Sequence, residues 1–250
     1  MTLLGKEMRA FYEHHSEPSI LSEFDPADQC HVLTFSGTTD IPTRWGLIVG
    51  DYVSSARSSL DHLVWQLVLA NGGVPGRNNS FPVLETQAGW LRNVEQRAES
   101  RGPGPLEGIS TTAWSIIKEL QPYNAGDRDA AHATWLAALH YLWNVDKHQV
   151  IHGAMAYATG DAPEVTVEPS DCLQVSKVFY GRRRLEDGAE IARVQVVEIK
   201  PPPGGNANVH FDIPISVAFG EEGKGVASVG FLAHMLRKLH EVVSRFEPEF

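Results

Sequence analysis

The spacing of hydrophobic residues predicts three long amphipathic helices. The clearest lies between Thr43 and Asn71, where apolar side chains recur every three or four residues, as on one face of a helix. A second pattern of this kind covers Asp129–Lys147, and a third runs from Val229 to Phe246. The first stripe consists of Val49, Val53, Ala56, Leu60, Leu63 and Leu67, and the third of Val229, Leu232, Leu236, Leu239, Val243 and Phe246. Shorter helices are predicted at Leu3–His15, Gln87–Ala98 and Thr111–Leu120.

Between Gly153 and Ala218 the period shortens from about 3.6 residues to about 2, which predicts β-strands. Apolar residues at alternate positions mark the strongest strand, and we expect their side chains to face the core together. Pro214 places this strand at an edge or at a bulge, because proline has no amide hydrogen for the ladder. Asp187 followed by Gly188 predicts a hairpin turn. The alternating set is Val209, Phe211, Ile213 and Ile215.

These patterns predict an α+β protein, a bundle of five to six helices with a small antiparallel sheet inserted before the C-terminal helix. Residues 1–152 would form a mainly helical body, and residues 153–220 would form the antiparallel insertion. Residues 221–250 would form a last helix that packs back on the body. The pattern is compatible with one domain that carries an inserted sheet and with two closely packed layers.

Composition and charge limit the function classes. The 250 residues carry a formal charge of −10, and an acidic chain is poorly suited to coat nucleic acid. No apolar run reaches the roughly 18–20 residues that span a bilayer, and the N-terminus lacks the apolar region of a secretory signal. Two cysteines, Cys30 and Cys172, are typical of a reducing compartment. We therefore expect a cytoplasmic protein with no membrane partner, no DNA-binding motif and no cofactor, since the sequence has no phosphate-binding or dinucleotide-binding loop.

The predicted helix at Thr43–Asn71 has a polar face opposite its apolar stripe. Small side chains on this face allow another backbone to approach closely, so the face is either solvated or covered by a partner. Trp65 favours a covered face, because a lone exposed tryptophan is uncommon. A second copy of the chain, docked through this helix, is one such partner. The face carries Asp51, Ser54, Ser58, Asp61, His62 and Trp65.

Arg57 and His62 lie on this helix with four residues between them. An arginine and a histidine at this spacing resemble the signature of the HEPN superfamily, all-helical proteins that include many metal-independent endoribonucleases. The resemblance implies a dimer in which the histidine and the arginine of two protomers meet in a cleft and act on an RNA 2′-hydroxyl and the adjacent phosphate. Arg57 would bind the phosphate, and His62 would serve as acid or base. Asp61 and Asp146 would support them in a bacterial ribonuclease of a toxin or defence type.

A wider resemblance covers about the first 150 residues. The run Gly50–Leu67, then Phe81–Val83, Leu120–Tyr123 and Asn144–His148, follows the order of motifs in a set of bacterial sequences. This resemblance indicates a common family and implies no activity.

Asp146 shares a side of the second helix with Leu139 and Leu142. A carboxylate on an apolar face needs a partner, because burying it alone costs several kcal/mol. Arg57 borders the apolar stripe of the central helix and is the predicted partner. Such a pair would join the two long helices, unless the second helix ends near Asp146 and leaves the carboxylate on the surface.

Asp146, His148 and His152 form a second candidate site, because two histidines four residues apart on a helix can share a cation. This set would make the protein a metal-dependent hydrolase. The third function class is an interaction or scaffold protein without catalysis, for which the small polar face of the central helix would be the docking surface.

Overall fold

The computed structural model describes residues 2–13, 19–37, 40–97, 102–148, 151–157, 164–168, 173–180, 185–198, 208–212, 215–220 and 227–250. The prediction of an α+β fold with strands before the C-terminal helix is confirmed. The α-helices in these residues are α1 (Thr2–Tyr12), α2 (Thr43–Ala70), α3 (Gln87–Trp90), α4 (Thr111–Glu119), α5 (Arg128–Ala133), α6 (Trp135–His148) and α7 (Val229–Ser244). No helix in these ranges is long and apolar enough to cross a membrane.

The strands in the same residues all pair antiparallel. They are β1 (Ser19–Asp25), β2 (Cys30–Ser36), β3 (His152–Tyr157), β4 (Glu164–Glu168), β5 (Leu173–Tyr180), β6 (Glu190–Glu198), β7 (Asn208–Asp212), β8 (Ile215–Gly220) and β9 (Ala227–Ser228). They form one sheet in the order β1-β2-β6-β5, a second in the order β3-β8-β9, and a pair β4-β7.

The chain divides into two compact units. One unit comprises Met1–Gly46 and His152–Val229, and it holds the strands. The other comprises Leu47–Ile151 and Gly230–Phe250, and it holds α3 to α6 with most of α2 and α7. The first 46 residues therefore group with the strands, although the sequence analysis placed them in the helical body.

The hairpin β1–β2 is the reason for this grouping, and the sequence pattern did not predict it. In β2 the buried residues are Cys30, Leu33 and Phe35, which do not alternate strictly, and the pairing with β6 has a register shift between Leu33 and Thr34. β2 pairs with β6, a strand about 160 residues later in the chain. The spacing of apolar residues within a short segment cannot predict such a distant pairing.

The predicted strand around Pro214 is two strands with different partners. β7 ends at Asp212 and pairs with β4, whereas β8 begins at Ile215 and pairs with β3. Ile213 and Pro214, and the side chains of the other three residues in the alternating set, lie outside the described residues. The predicted turn before β6 is confirmed, since Gly188 has a φ of +77°, which a glycine adopts without steric cost.

The central helix α2 ends within one residue of its predicted end, and all six residues of its predicted stripe are buried. The helix predicted at Asp129–Lys147 is two helices, α5 and α6. Thr134 lies between them in extended conformation, with φ −66° and ψ 147°, and its hydroxyl accepts a hydrogen bond from the Ala137 amide at 3.2 Å. This N-cap begins a new helix where the apolar pattern indicated a continuous one.

The C-terminal helix α7 buries the predicted stripe only in part: Leu232, Leu239 and Phe246 are buried as predicted. Two residues of the predicted stripe, Leu236 and Val243, are 40% and 36% exposed. The Tyr52 hydroxyl donates a 2.9 Å hydrogen bond to the Leu232 carbonyl and joins α2 to α7. The apolar residues of α7 exceed one stripe, so packing rather than periodicity selects the buried side. The buried residues are Leu232, Met235, Leu239, Val242 and, after the helix, Phe246.

Candidate functional site

Arg57 is a buried cation whose partners lie within the helical unit. Only 5% of the residue is exposed. One terminal nitrogen donates a 2.7 Å hydrogen bond to the Phe81 carbonyl, and the other lies 2.9 Å from the Asp61 carboxylate one helical turn later. The guanidinium carbon lies 5.1 Å from the ring centroid of Trp143 on α6. Arg57 therefore joins α2 to the segment at Phe81 and to α6.

Asp61 completes this arrangement, because its carboxylate also accepts a 2.8 Å hydrogen bond from the Phe81 amide. Arg57 and Asp61 together bind both backbone polar groups of one residue. Burial lowers the pKa of the Arg57 guanidinium, and the charge of Asp61 opposes that shift. The pair stabilises the path of an irregular segment that has no ladder or helix to satisfy its backbone.

The predicted contact between Arg57 and Asp146 is wrong. Asp146 accepts a 2.9 Å hydrogen bond from the Ser54 hydroxyl, and its carboxylate lies over Gly50, where a Cβ atom would overlap it. Asp146 contacts α2 at Gly50 and Ser54. Arg57, on α2 itself, pairs with Asp61 on the same helix. Asp146 nevertheless joins α2 and α6, through a serine and a glycine instead of an arginine.

The four stretches of the wider resemblance meet in this unit. Gln121 donates a 2.9 Å hydrogen bond to the Pro82 carbonyl, and its side-chain oxygen accepts one of 3.0 Å from the Leu84 amide. The segment at residues 81–84 is thus held by Arg57 and Asp61 on one side and by Gln121 on the other. These contacts give the motifs a structural role in positioning this segment.

His62 lies on the exposed face of α2, away from Arg57. The two residues are five positions apart, which places them about 140° apart around a helix. The structure therefore does not bring the guanidinium and the imidazole together within this chain. His62 is in a groove of about 540 Å³ between α2 and α7, and His240 lines the same groove from α7.

The lining of this groove is mostly apolar and contains no Asp or Glu side chain. In the part of the chain that the structure describes, neither the His62 nor the His240 imidazole has a hydrogen-bond partner. Ser59 donates its hydroxyl to the Ser55 carbonyl at 2.9 Å. The lining consists of Ser59, His62, Leu63 and Gln66 from α2, Leu236, Leu239, His240 and Val243 from α7, and Phe250.

Two of the three residues in the candidate metal set, Asp146 and His148, have described side chains. Asp146 contacts Ser54, and His148 is exposed at the end of α6, whereas the side chain of His152 lies outside the described residues. No group of three His, Cys, Asp or Glu side chains suited to a metal ion occurs within the described ranges.

Two aromatic residues near Arg57 escaped the sequence analysis. Trp143 is contacted by Arg57 and by Lys147, whose ammonium lies 3.3 Å from a ring centroid. His140 is half-buried with its Nδ1 atom unpaired in the described structure, and burial together with the charge of Arg57 lowers its pKa. In the sequence, the only signal for this cluster is that the charged residues Asp146 and Lys147 follow Trp143 by one helical turn.

His240, Leu236 and Val243 were missed as candidate site residues. The signal available was the surplus of apolar residues on α7, which exceeds what one buried stripe uses. A scan against protein-family models and searches of curated proteins and of solved structures gave no match to this chain.

Proposed function

We propose that the protein is a non-catalytic binding protein whose α2–α7 groove receives an apolar part of its ligand. The observation that carries this proposal is the exposure of Leu236 and Val243 at a groove of about 540 Å³. Ligand sites commonly have volumes of about 300–1,000 Å³ and are mostly apolar with a few polar groups. The lining of the groove has this composition.

Binding fits the groove better than catalysis does. A catalytic histidine is usually held by a third group, such as a carboxylate, and no Asp or Glu side chain lines this groove. Arg57, the other residue of the catalytic hypothesis, is bonded to Asp61 and Phe81 and is almost inaccessible to a phosphate. Its proposed role is to position α2 and the segment at residues 81–84.

Titration with Nile red, a neutral apolar dye whose fluorescence rises in apolar surroundings, tests this proposal. We expect saturable binding that Leu236→Gln weakens by about tenfold, as the loss of one apolar contact implies. Leu69→Gln is the matched control, because Leu69 is 48% exposed on α2 and does not line the groove. Equal binding by both variants and the wild type, each folded by circular dichroism, would contradict the proposal.

A HEPN-like ribonuclease of bacterial toxin or defence type is the second function we propose. The exposure of His62 and its position in one groove with His240 favour it, since two imidazoles can act as acid and base. The protein would then act on RNA as a cytoplasmic homodimer formed through α2. Arg57 would position the helix, and another group would bind the phosphate.

Incubation of the purified protein with mixed RNAs in EDTA tests the second function. We expect cleavage that His62→Ala abolishes and that His132→Ala retains, since His132 lies on α5 beside Glu85. Sedimentation would establish whether the active species is a dimer. If the wild type cuts no RNA, the ribonuclease hypothesis fails and the binding proposal remains.

A further inference from the structure

We infer that the ligand of the α2–α7 groove is a small apolar molecule with one acidic group, which His62 and His240 recognise. This inference rests on the proposed binding function and specifies its ligand class. It depends on the charges around the two imidazoles and on the size of the groove.

The carboxylates next to the two histidines in sequence are bonded elsewhere. Asp61 precedes His62 and binds Arg57 and the Phe81 amide. Glu241 follows His240 and pairs with Lys238 at 2.6 Å. Among the described residues, neither imidazole therefore has a side-chain anion as a partner, although the whole chain carries a charge of −10.

The groove thus combines an apolar wall with hydrogen-bond donors. Leu63, Leu236 and Val243 supply apolar surface, and the imidazole N–H groups and the Gln66 amide supply donors. A carboxylate accepts such hydrogen bonds, and they are stronger when the imidazole is protonated. An apolar acid therefore matches both the apolar wall and the hydrogen-bond donors of the groove. An apolar base would match only the wall, and a polyanion would match only the donors.

The volume of the groove favours a small molecule over a macromolecule. About 540 Å³ is within the range of small-ligand sites. Besides His62 and His240, no titratable side chain in the described ranges lines the groove; nearby on α7, the charges of Lys238 and Arg237 act on Glu241.

Displacement of Nile red by 2-naphthoate and by 2-naphthamide, which have the same size and differ in charge, tests the inference. At pH 6 we expect the acid to bind about tenfold more tightly than the amide. The double variant His62→Gln/His240→Gln should lose the preference. His234→Gln should keep it, because His234 is on α7 but does not line the groove.

The outcomes separate the inference from the proposed function. Equal displacement by the acid and the amide in the wild type at pH 6 would overturn the acid preference and leave the binding function in place. A preference that survives in the double variant would overturn the assignment to the two imidazoles. Absence of binding by Nile red and by both naphthalenes would overturn the proposed function together with this inference.

Discussion

Arg57 and Asp61 lie one helical turn apart on α2, with a terminal guanidinium nitrogen 2.9 Å from a carboxylate oxygen. Between them they bind the carbonyl and the amide of Phe81, at 2.7 and 2.8 Å. An i,i+4 pair on a solvated helix surface contributes only about 0.3–0.5 kcal/mol. Here the arginine is buried and its second nitrogen satisfies a backbone carbonyl, so the pair has a structural role larger than that of a surface salt bridge.

Arg57→Ala is expected to lower the free energy of unfolding by about 2–3 kcal/mol. The substitution removes the hydrogen bond to Phe81 and the contact with Trp143, while Asp61 is partly exposed and is resolvated. Arg245→Ala is the control, since Arg245 pairs with Glu119 on the surface, where such pairs contribute about 0–1 kcal/mol. Urea denaturation followed by circular dichroism measures both. Equal losses in the two variants would refute the structural role of Arg57.

Gly50→Ala is expected to destabilise the protein by about 1–3 kcal/mol, although alanine is the better helix former. The added Cβ would overlap the Asp146 carboxylate across the contact between α2 and α6. Gly5→Ala on α1 meets no atom within 4 Å and should be neutral or stabilising.

A double-mutant cycle tests the cause of the Gly50 effect. Adding Asp146→Ala to Gly50→Ala should recover part of the lost stability, because the overlapping carboxylate is gone. Strictly additive losses would show that the overlap with Asp146 is not the source of the destabilisation.

The stability of the protein should decrease as the pH falls below about 6.5, and His140 should contribute to that decrease. Burial and the charge of Arg57 lower the pKa of His140 in the folded state, so the unfolded chain binds the proton first. The contribution is therefore present above pH 6.5 and is lost as the pH approaches the folded pKa. Between pH 7.0 and 5.5 the free energy of unfolding should decrease less in His140→Phe than in the wild type. His31, whose pKa burial also lowers, would account for part of the remaining slope.

Tyr52 should add a second pH dependence at the alkaline end. Burial raises its pKa to about 12, so the folded hydroxyl stays protonated while the unfolded one ionises near pH 10. The stability that Tyr52 contributes is complete below pH 10 and is lost between pH 10 and about 12. Tyr52→Phe should cost about 1 kcal/mol at pH 7, through the lost hydrogen bond to Leu232, and should reduce the alkaline slope. An unchanged slope in this variant would contradict the assignment.

The local sequence was sufficient to predict α2, the α+β class and the turn at Gly188. Val49, Val53 and Leu60 recur at helical spacing, and any packing partner must meet that stripe because no other face of α2 is as apolar. Gly188 has a positive φ, which glycine adopts without steric cost. In each case a few neighbouring residues carry the information.

Some elements depend on pairings between distant residues. The strand β2 pairs with β6, and α7 buries Met235 and Val242 where the apolar spacing predicted Leu236 and Val243. Periodicity alone could not choose between these neighbouring apolar positions on one side of α7. The break at Thr134 depends on whether its side chain caps a new helix or faces solvent within a longer one.

The sequence alone was enough to place His62 on the polar face of an amphipathic helix and Arg57 at the border of its apolar stripe. Only the tertiary structure determined that Arg57 binds the carbonyl of Phe81 and that His240 enters the groove of His62. A backbone carbonyl is common to all residues, so no side-chain pattern marks the one that a buried guanidinium will bind. The approach of α7 to α2 brings together residues about 180 positions apart. It depends on how the two helices pack, which the apolar pattern of either helix alone does not specify.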